Sequence, residues 1–486
     1  MTRSSSPTPP QRSTSRKATA PVRSPRWRRP APWCPEVVRT GSALFTDLYE
    51  LTMAAGYVRV GIAEQTATFD LFVRRLPEPR QFLVAAGLAD AVDFLTDLSI
   101  DDDELAFLES TGRFAPDALD AFARLTFTGD LWGVPEGEVV FGNEPILRVT
   151  APLIQAQVVE TRLINLVASQ TMVASKAARV AIACGDRTFV DFSARRDHGG
   201  DAAMQTARAS YVAGAAGTSL VAAGHRWGIP LSGTMAHAYV MSFDDERDAF
   251  RTFARTFPDD AVLLIDTYDT EEGARRVVEV AAELADDGIH VRGVRLDSGD
   301  LAHLSRAVRA ILDEGGMTET SIFASGDLDE YRITELLASG SPIDAFGVGT
   351  QLGTSADAPN LGGVYKLVAD ASGPKMKLAE DKVTLPGLKQ VWRVERDGRS
   401  THDVIALDDE EPPTDARPLL HPVLRDGALI GPLPSIDESR RRAATSIAAL
   451  PSRLRTLQLR EAPYDVRRSA ALDALVAELT ARHRAG

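Results

Sequence analysis

Residues 261–300 read AVLLIDTYDTEEGARRVVEVAAELADDGIHVRGVRLDSGD. A short apolar run, Ala261–Asp266, gives way to a helical stretch, and a second apolar run, Val291–Leu296, follows. This is the pattern of a βαβ unit, two parallel strands joined by a crossover helix. The same rhythm extends both ways, to Thr188–Phe192 and Ile229–Ser232 upstream and to Ser321–Ala324 and Ile343–Gly347 downstream. The runs recur every 20 to 40 residues or so, the period of βα units. Each ends at, or one residue before, an Asp, Ser or Gly. Positions just past the C-terminal ends of strands are where α/β proteins build their sites. The steady repetition, with no single Gly-rich turn near its start, predicts an irregular TIM-like α/β barrel over residues 151–365. A doubly wound open sheet is the competing architecture.

On the N-terminal side, residues 154–182 form a long helical run without Gly or Pro. Before it, residues 43–150 read as an α+β domain. Leu44, Leu48, Leu51, Met53 and Tyr57 recur at helical spacing over Leu44–Val60, with Thr46 and Asp47 as a start signal. Ala67–Val73 alternates as a strand should, helical patterns run to about Leu125, and Gly129–Thr150 holds short strand-like pieces. After Tyr365 the βα rhythm stops. Residues 366–400, with Lys375–Val394 as a loop and strands, read as a segment returning to the N-terminal domain. Residues 401–486 form a C-terminal region ending in helices, Ser435–Arg460 (interrupted at Pro451) and Val466–His483. Arg440, Arg441 and Arg442 are expected to form a solvated helix face.

The chain has 486 residues, with 44% hydrophobic and 25% charged, enough for a large core in two or three domains. No apolar run approaches the roughly 18 to 20 residues needed to span a bilayer. The two cysteines, Cys34 and Cys184, are too few for a disulfide framework or a cysteine-built zinc site, so a reducing cytoplasm is the expected setting. Residues 1–40 carry nine basic side chains and one acid, a net +8, which leaves −22 for the rest of a chain whose net charge is −14. An acidic body argues against nucleic acid as the main partner. Residues 1–42, rich in Ser, Pro and Thr and without apolar periodicity, read as a disordered basic tail. The tail lacks the apolar core of a secretory signal. An organelle transit peptide has little positive support.

Three strand ends suggest a phosphorylated substrate. Phe323-Ala-Ser-Gly-Asp-Leu-Asp329 and Gly347-Val-Gly-Thr350 place glycines where backbone amides can approach an anion, against the alternative of ordinary tight turns. In Gly293-Val-Arg-Leu-Asp-Ser-Gly-Asp300, Arg295 and Asp297 point to one side if the strand persists. Arg295 can grip a carboxylate or phosphate. Asp297 and Asp300 can hold Mg²⁺ or ribose hydroxyls, joined by Asp266 and Asp269 from a neighbouring strand end. A surface ion pair with a turn is the bland alternative. Phe192 and Arg195 would suit a flat, negatively charged aromatic ring, or else be a core Phe and a surface Arg. His237, just past a strand, can act as nucleophile or proton carrier, or be a satisfied core histidine. The eight His show no HExxH or Cys/His clustering, which argues against a dedicated zinc site.

Taken in order, Thr46-Asp-Leu-Tyr-Glu-Leu-Thr-Met53, Asp191-Phe-Ser-Ala-Arg-Arg196, Gly233-Thr-Met-Ala-His237, Arg295-Leu-Asp-Ser-Gly-Asp300, Gly347-Val-Gly-Thr350 and Lys377-Leu-Ala-Glu-Asp381 with Pro386-Gly-Leu-Lys389 resemble the nicotinate phosphoribosyltransferases. The resemblance covers residues 43 to 395 and implies a reaction. Nicotinate, 5-phosphoribosyl 1-diphosphate, ATP and water would give nicotinate mononucleotide, diphosphate, ADP and phosphate, with Mg²⁺ as cofactor and ATP as co-substrate. It implies that His237 is transiently phosphorylated. It also implies that Thr234, Arg295, Arg195 and Phe192 contact nicotinate. Tyr49 would reach the site from a neighbouring subunit of a homodimer. Gly326, Asp327, Gly349 and Thr350 would bind the sugar diphosphate, with Asp297 beside them. Ser219 stands where related nicotinamide enzymes carry an acid, which favours an acidic ring as substrate. Ala238 stands where many members have Ser. The chain cannot form the cysteine-rich zinc knuckle of some shorter relatives. The alternatives are a nicotinamide or quinolinate enzyme on the same barrel plan and a non-catalytic phosphometabolite sensor. Quinolinate's second carboxylate should demand more Arg and Lys around the ring. A sensor has no need of a phosphorylatable His.

Overall fold

The computed structural model describes residues 39–378, 384–458 and 462–485. The basic segment to residue 38, with Cys34, and Ala379–Asp381 of the Lys377 motif lie outside them. Every described helix and strand belongs to one compact unit, Thr40–Gly486.

Helix α1 (Leu48–Val60) starts at Asp47 and stops at Gly61, whose φ of +75° is the left-handed turn that ends a helix. Strand β1 (Thr66–Val73) is an interior strand of the first sheet. Its alternation would put Thr68 and Asp70 in water, yet both are buried, and Asp70 pairs with Lys389 at 2.9 Å. After β2 (Leu83–Val84) come three helices, α2 (Leu88–Thr96), α3 (Asp102–Ser110) and α4 (Pro116–Ala123). Helix α3 opens with a capping box between Asp101 and Glu104. Strands β3 (Asp130–Gly133), β4 (Val139–Val140) and β5 (Pro145–Pro152) lead into α5 (Leu153–Val158) and the 25-residue α6 (Glu160–Cys184). Helix α6 buries Lys176 and Arg179, which pair with Glu330 at 2.5 and 2.9 Å.

The βα part follows: β6 (Thr188–Asp191), α7 (Gly200–Val212), α8 (Val221–Trp227), α9 (His237–Met241), α10 (Glu246–Thr256), β7 (Val262–Leu264), α11 (Thr270–Ala285), β8 (Gly293–Leu296), α12 (Leu301–Glu314), β9 (Ser321–Ala324), α13 (Glu330–Ala338), β10 (Ala345–Val348) and α14 (Thr350–Gly353). The five strands pair in parallel in the order β6-β10-β9-β8-β7. Single parallel bridges extend the β6 edge, Asp191 to Thr218 and Thr218 to Leu231. The predicted strand at Ile229–Ser232 is therefore one bridge at Leu231, because Pro230 has no amide proton to build a ladder. Among the described residues no ladder joins Leu231 to β7, so the sheet as paired is open rather than the closed barrel expected. The chain is a mixed α/β fold with a parallel sheet.

The remainder is richer in strands than its sequence suggests. Strand β11 (Gly363–Asp370) lies antiparallel to β1, with Phe69 stacked on Tyr365 at 4.9 Å, and β12 (Gly373–Pro374) flanks it. Strands β13 (Lys389–Arg396), β14 (Arg399–Leu407) and β15 (Ala416–Pro418) form a second antiparallel group. Strands β16 (His421–Arg425) and β17 (Ala428–Leu429) return to the edge of the first sheet beside β3. Helix α15 (Ile436–Ala449) follows, then β18 (Val466–Arg468) beside β14, and α16 (Ala470–Ala485) ends the chain. The expected solvated face at Arg440–Arg442 is only partly so. Arg440 donates to the carbonyls of Tyr211, Gly214 and Ala215, and Arg442 donates to that of Glu136. The Arg440 guanidinium fork thus ties α15 to the chain at and just beyond the end of α7.

Candidate active site

Because β6 to β10 are parallel, their C-terminal tips share one edge, and the chemistry-bearing residues gather there. Register fixes the neighbours: Leu264 pairs with Arg295, and Arg295 with Phe323. Arg295 is the penultimate residue of β8 and half-buried. Its Nη1 donates to Thr234 Oγ1 at 2.7 Å, while its buried Nε has no partner. Burial lowers its pKa, the nearby carboxylates of Asp297 and Asp266 oppose that, and Arg195 adds to it. A guanidinium remains charged under such shifts, so an anion is the natural complement of its open donor.

Asp297 ties three tips together. Its Oδ1 accepts from Ser325 Oγ at 2.5 Å, and its amide donates to Asp266 Oδ2 at 2.9 Å. Asp266 Oδ2 also accepts from Ser298 Oγ at 2.7 Å, and Asp266 Oδ1 is buried without a partner. The free Oδ2 of Asp297 stands 3.9 Å from His237 Nε2, with both side chains about one-third exposed (34% and 38%). His237 heads α9, and its Nδ1 lies 3.2 Å from Thr267 Oγ1. Gly326, at φ +94°, lets the β9 tip abut the β8 tip, since a Cβ there would fall 1.9 Å from the Asp297 carbonyl oxygen. Asp327 follows in the left-handed region at φ +46° and is exposed.

The aromatic wall is built by β6 and β10. Phe192 is half-buried and stacks on Phe323 at 5.6 Å, and its amide donates to the Val348 carbonyl at 2.9 Å. Its ring lies over Gly347, where a Cβ would sit 2.6 Å from a ring carbon. Gly347 is thus buried inside β10 and makes room for the ring rather than for an anion. Gly349 and Thr350 begin the turn beyond it. The loop after β6 is folded by buried Asp191, which accepts from the Ser193 amide and hydroxyl at 2.9 and 2.6 Å and from Thr218 Oγ1 at 2.8 Å. Burial pushes the Asp197 carboxyl up to about 6, and its Oδ2 accepts from Ser193 Oγ. Arg195 is exposed on this loop.

Several residues singled out in the sequence take other positions. Asp300 caps α12, its Oδ1 accepting from the amides of Ala302 and His303 at 3.1 and 3.2 Å. Asp269 caps α11 through the Glu272 amide at 2.8 Å. Both carboxylates serve helix starts. Tyr49 is 47% exposed on α1, and burial with the charges of Glu160 and Glu50 pushes its phenol up. Helix α1 packs on α4 and α5, so Tyr49 is not gathered with the strand tips of its own chain. Thr267, Ser325 and Asp191 were not singled out. Each adjoins a residue that was, and only the folded register shows which neighbour faces inward.

A guanidinium, an imidazole, paired carboxylates and an aromatic ring thus stand together at the parallel strand tips of an α/β protein. Residues 44–168 match the nicotinate phosphoribosyltransferase N-terminal domain model, and residues 187–369 match the nicotinate phosphoribosyltransferase family model. The nicotinate phosphoribosyltransferase pncB2 of Mycobacterium tuberculosis is 48% identical over 438 residues, 90% of this chain and 93% of that protein. That of Bacillus subtilis is 46% identical over 391 residues, 78% and 79% of the two chains. The crystal structure of human nicotinic acid phosphoribosyltransferase superposes with a TM-score of 0.80 at 32% identity, covering 89% of this chain and 99% of that one. The chain belongs to the nicotinate phosphoribosyltransferase family.

Proposed function

We propose that the protein joins nicotinate to C1 of the ribose of 5-phosphoribosyl 1-diphosphate, releasing diphosphate, with ATP cleavage coupled through a transient phosphohistidine at His237. The observation that carries this is Arg295: a largely desolvated guanidinium with an unpartnered Nε, braced by Thr234 on the strand edge that also bears the Phe192 ring. Such a site suits a planar carboxylate, with Arg295 and Arg195 on the acid group and Phe192 on the ring face. Tyr49 is read as the contribution of a second copy of the chain, which makes the enzyme a homodimer.

The pyridine nitrogen carries its own lone pair, so no protein base is required. As diphosphate leaves, the sugar becomes cation-like at C1, and the carboxylate of Asp297, fixed by Ser325, can steady it. The turns at Gly326–Asp327 and Gly349–Thr350 supply backbone donors and polar side chains to the phosphates. Mg²⁺ fits this donor set: Asp297 Oδ2 and the unpartnered Asp266 Oδ1 offer hard oxygens. Among the described residues no cluster of three or more His, Cys, Asp or Glu could hold a metal alone, so substrate phosphate oxygens would have to complete the coordination. When bound, Mg²⁺ offsets the charge developing on the leaving diphosphate. Asp300 could join it only by giving up its helix cap.

The parallel positions from β7 through β6 to Leu231 read as an incomplete barrel, open between Leu231 and β7, where His237 sits. No helix of the described residues is long and apolar enough to cross a membrane. Buried, free Cys184 suits a reducing cytoplasm. The test is ATP hydrolysis with and without the second substrates. Hydrolysis should rise with nicotinate and not with nicotinamide. His237→Ala should abolish that rise yet leave slow ATP-independent transfer. An ATP dependence unchanged in His237→Ala removes His237 from the role.

A further inference from the structure

The imidazole of His237 bridges two strand tips, but its two nitrogens are not equivalent. Nδ1 is 3.2 Å from Thr267 Oγ1, within hydrogen-bond reach. Nε2 is 3.9 Å from Asp297 Oδ2, too far for a direct hydrogen bond, and the ring is 38% exposed. Thr267 itself is well anchored. Two residues before it, the Ile265 amide donates to the Arg295 carbonyl at 3.2 Å. Two residues after it, Asp269 caps α11. Helix α11 presses so closely on this tip that a Cβ at Gly273 would fall 2.3 Å from the Ile265 carbonyl oxygen. The hydroxyl is therefore a fixed post on a short turn. The histidine, by contrast, heads a five-residue helix after a loop without regular structure.

We propose that Thr267 is a positioning residue that occupies Nδ1 of His237 and presents Nε2 to the γ-phosphoryl group of ATP. This rests on the phosphohistidine reading of His237. In the step, the Nε2 lone pair forms the N–P bond as the bond from the γ-phosphorus to the bridging oxygen breaks, and that electron pair leaves with ADP. The proton on Nδ1 stays on the ring, donated to Thr267 Oγ1, and offsets part of the phosphoryl charge. Without the hydroxyl the ring can turn about its Cβ–Cγ bond and offer either nitrogen.

The test compares the full-length protein with Thr267→Val, Thr267→Ala and Thr267→Ser. After labelling from γ-labelled ATP, the rate of phosphohistidine formation is measured and the two ring isomers are separated. ATP-independent formation of nicotinate mononucleotide is followed in parallel. The unsubstituted protein should carry phosphate on Nε2 alone. Val and Ala should slow labelling about tenfold or more, place part of the phosphate on Nδ1, and leave the ATP-independent rate within about twofold. Ser should restore both rate and isomer. Labelling of Val and Ala at the native rate and wholly on Nε2 overturns the role of Thr267. So does a parallel fall in both activities that Ser does not restore. Absence of phosphohistidine in the unsubstituted protein overturns the reading of His237 itself.

Discussion

Arg295 is braced by Thr234 on one side and open at Nε on the other. Removing it deletes the charge proposed to meet the nicotinate carboxylate and leaves Thr234 without its donor. A hydrogen bond to a charged group is worth about 1.5 to 3 kcal/mol. Arg295→Ala should therefore raise the nicotinate concentration for half-maximal rate about 10- to 100-fold, measured by steady-state kinetics at saturating sugar diphosphate. Removal of residues 1–38 should change it far less. A truncation that proves the more damaging change contradicts this assignment of Arg295. At this scale the sequence is informative about which residue types stand at strand ends. It says little about which of two nearby acids faces the site. Asp297 and Asp300 are three apart on one motif, yet Asp297 joins Ser325 while Asp300 caps a helix. Asp266 and Asp269 divide the same way. The distinction comes from where the strand stops and the helix starts, boundaries that pattern reading places least well.

Among the elements, the parallel strands were legible because each is a short apolar run closed by a polar turn. Strand β13 falls within the stretch read as a loop and strands, but its partner β14 and the strands after it were not legible. They alternate weakly and carry buried charge: Arg393 is fully buried, pairing with Asp403 at 2.6 Å and Glu138 at 2.8 Å. Helix α15 was legible as a helix, but its docking was not, since three consecutive arginines look like a solvated face. Arg440→Ala leaves the carbonyls of Tyr211, Gly214 and Ala215 to partial solvation. It should lower stability by about 2 kcal/mol, read as an earlier urea midpoint with an unchanged slope. In α1, Glu50 is fully buried, and that burial pushes its carboxyl up to about 7, against opposing hydrogen bonds from Thr46 and Thr161. A carboxyl raised above its unfolded value favours the fold fully below about 4.5 and loses that contribution as pH rises through about 7. Glu50→Gln does not titrate. Its melting temperature should gain on the unsubstituted protein as pH rises from 5 to 7.5 or so. A constant gap across that range would show that Glu50 is ionised throughout.

In the whole molecule, chain order and spatial order differ. Strands β11, β16 and β17 come from the second half of the sequence and complete a sheet begun by β1, β3 and β5. The parallel segment lies between them in sequence, and its strand tips gather the candidate site residues. Such long-range closure leaves little local trace, which is why the sequence suggested a returning segment without its pairing partners. If the site takes Tyr49 from a second copy, activity per chain should also fall on dilution below the dimer's dissociation constant. In the proposed reaction these strand tips join a flat acid to a sugar diphosphate. Mass detection of the products bears on it most directly, after incubation with nicotinate, 5-phosphoribosyl 1-diphosphate and MgATP. Nicotinate mononucleotide should appear in step with diphosphate, and nicotinamide in place of nicotinate should give none. Unconsumed nicotinate with all substrates present, or equal use of nicotinamide, would contradict that claim.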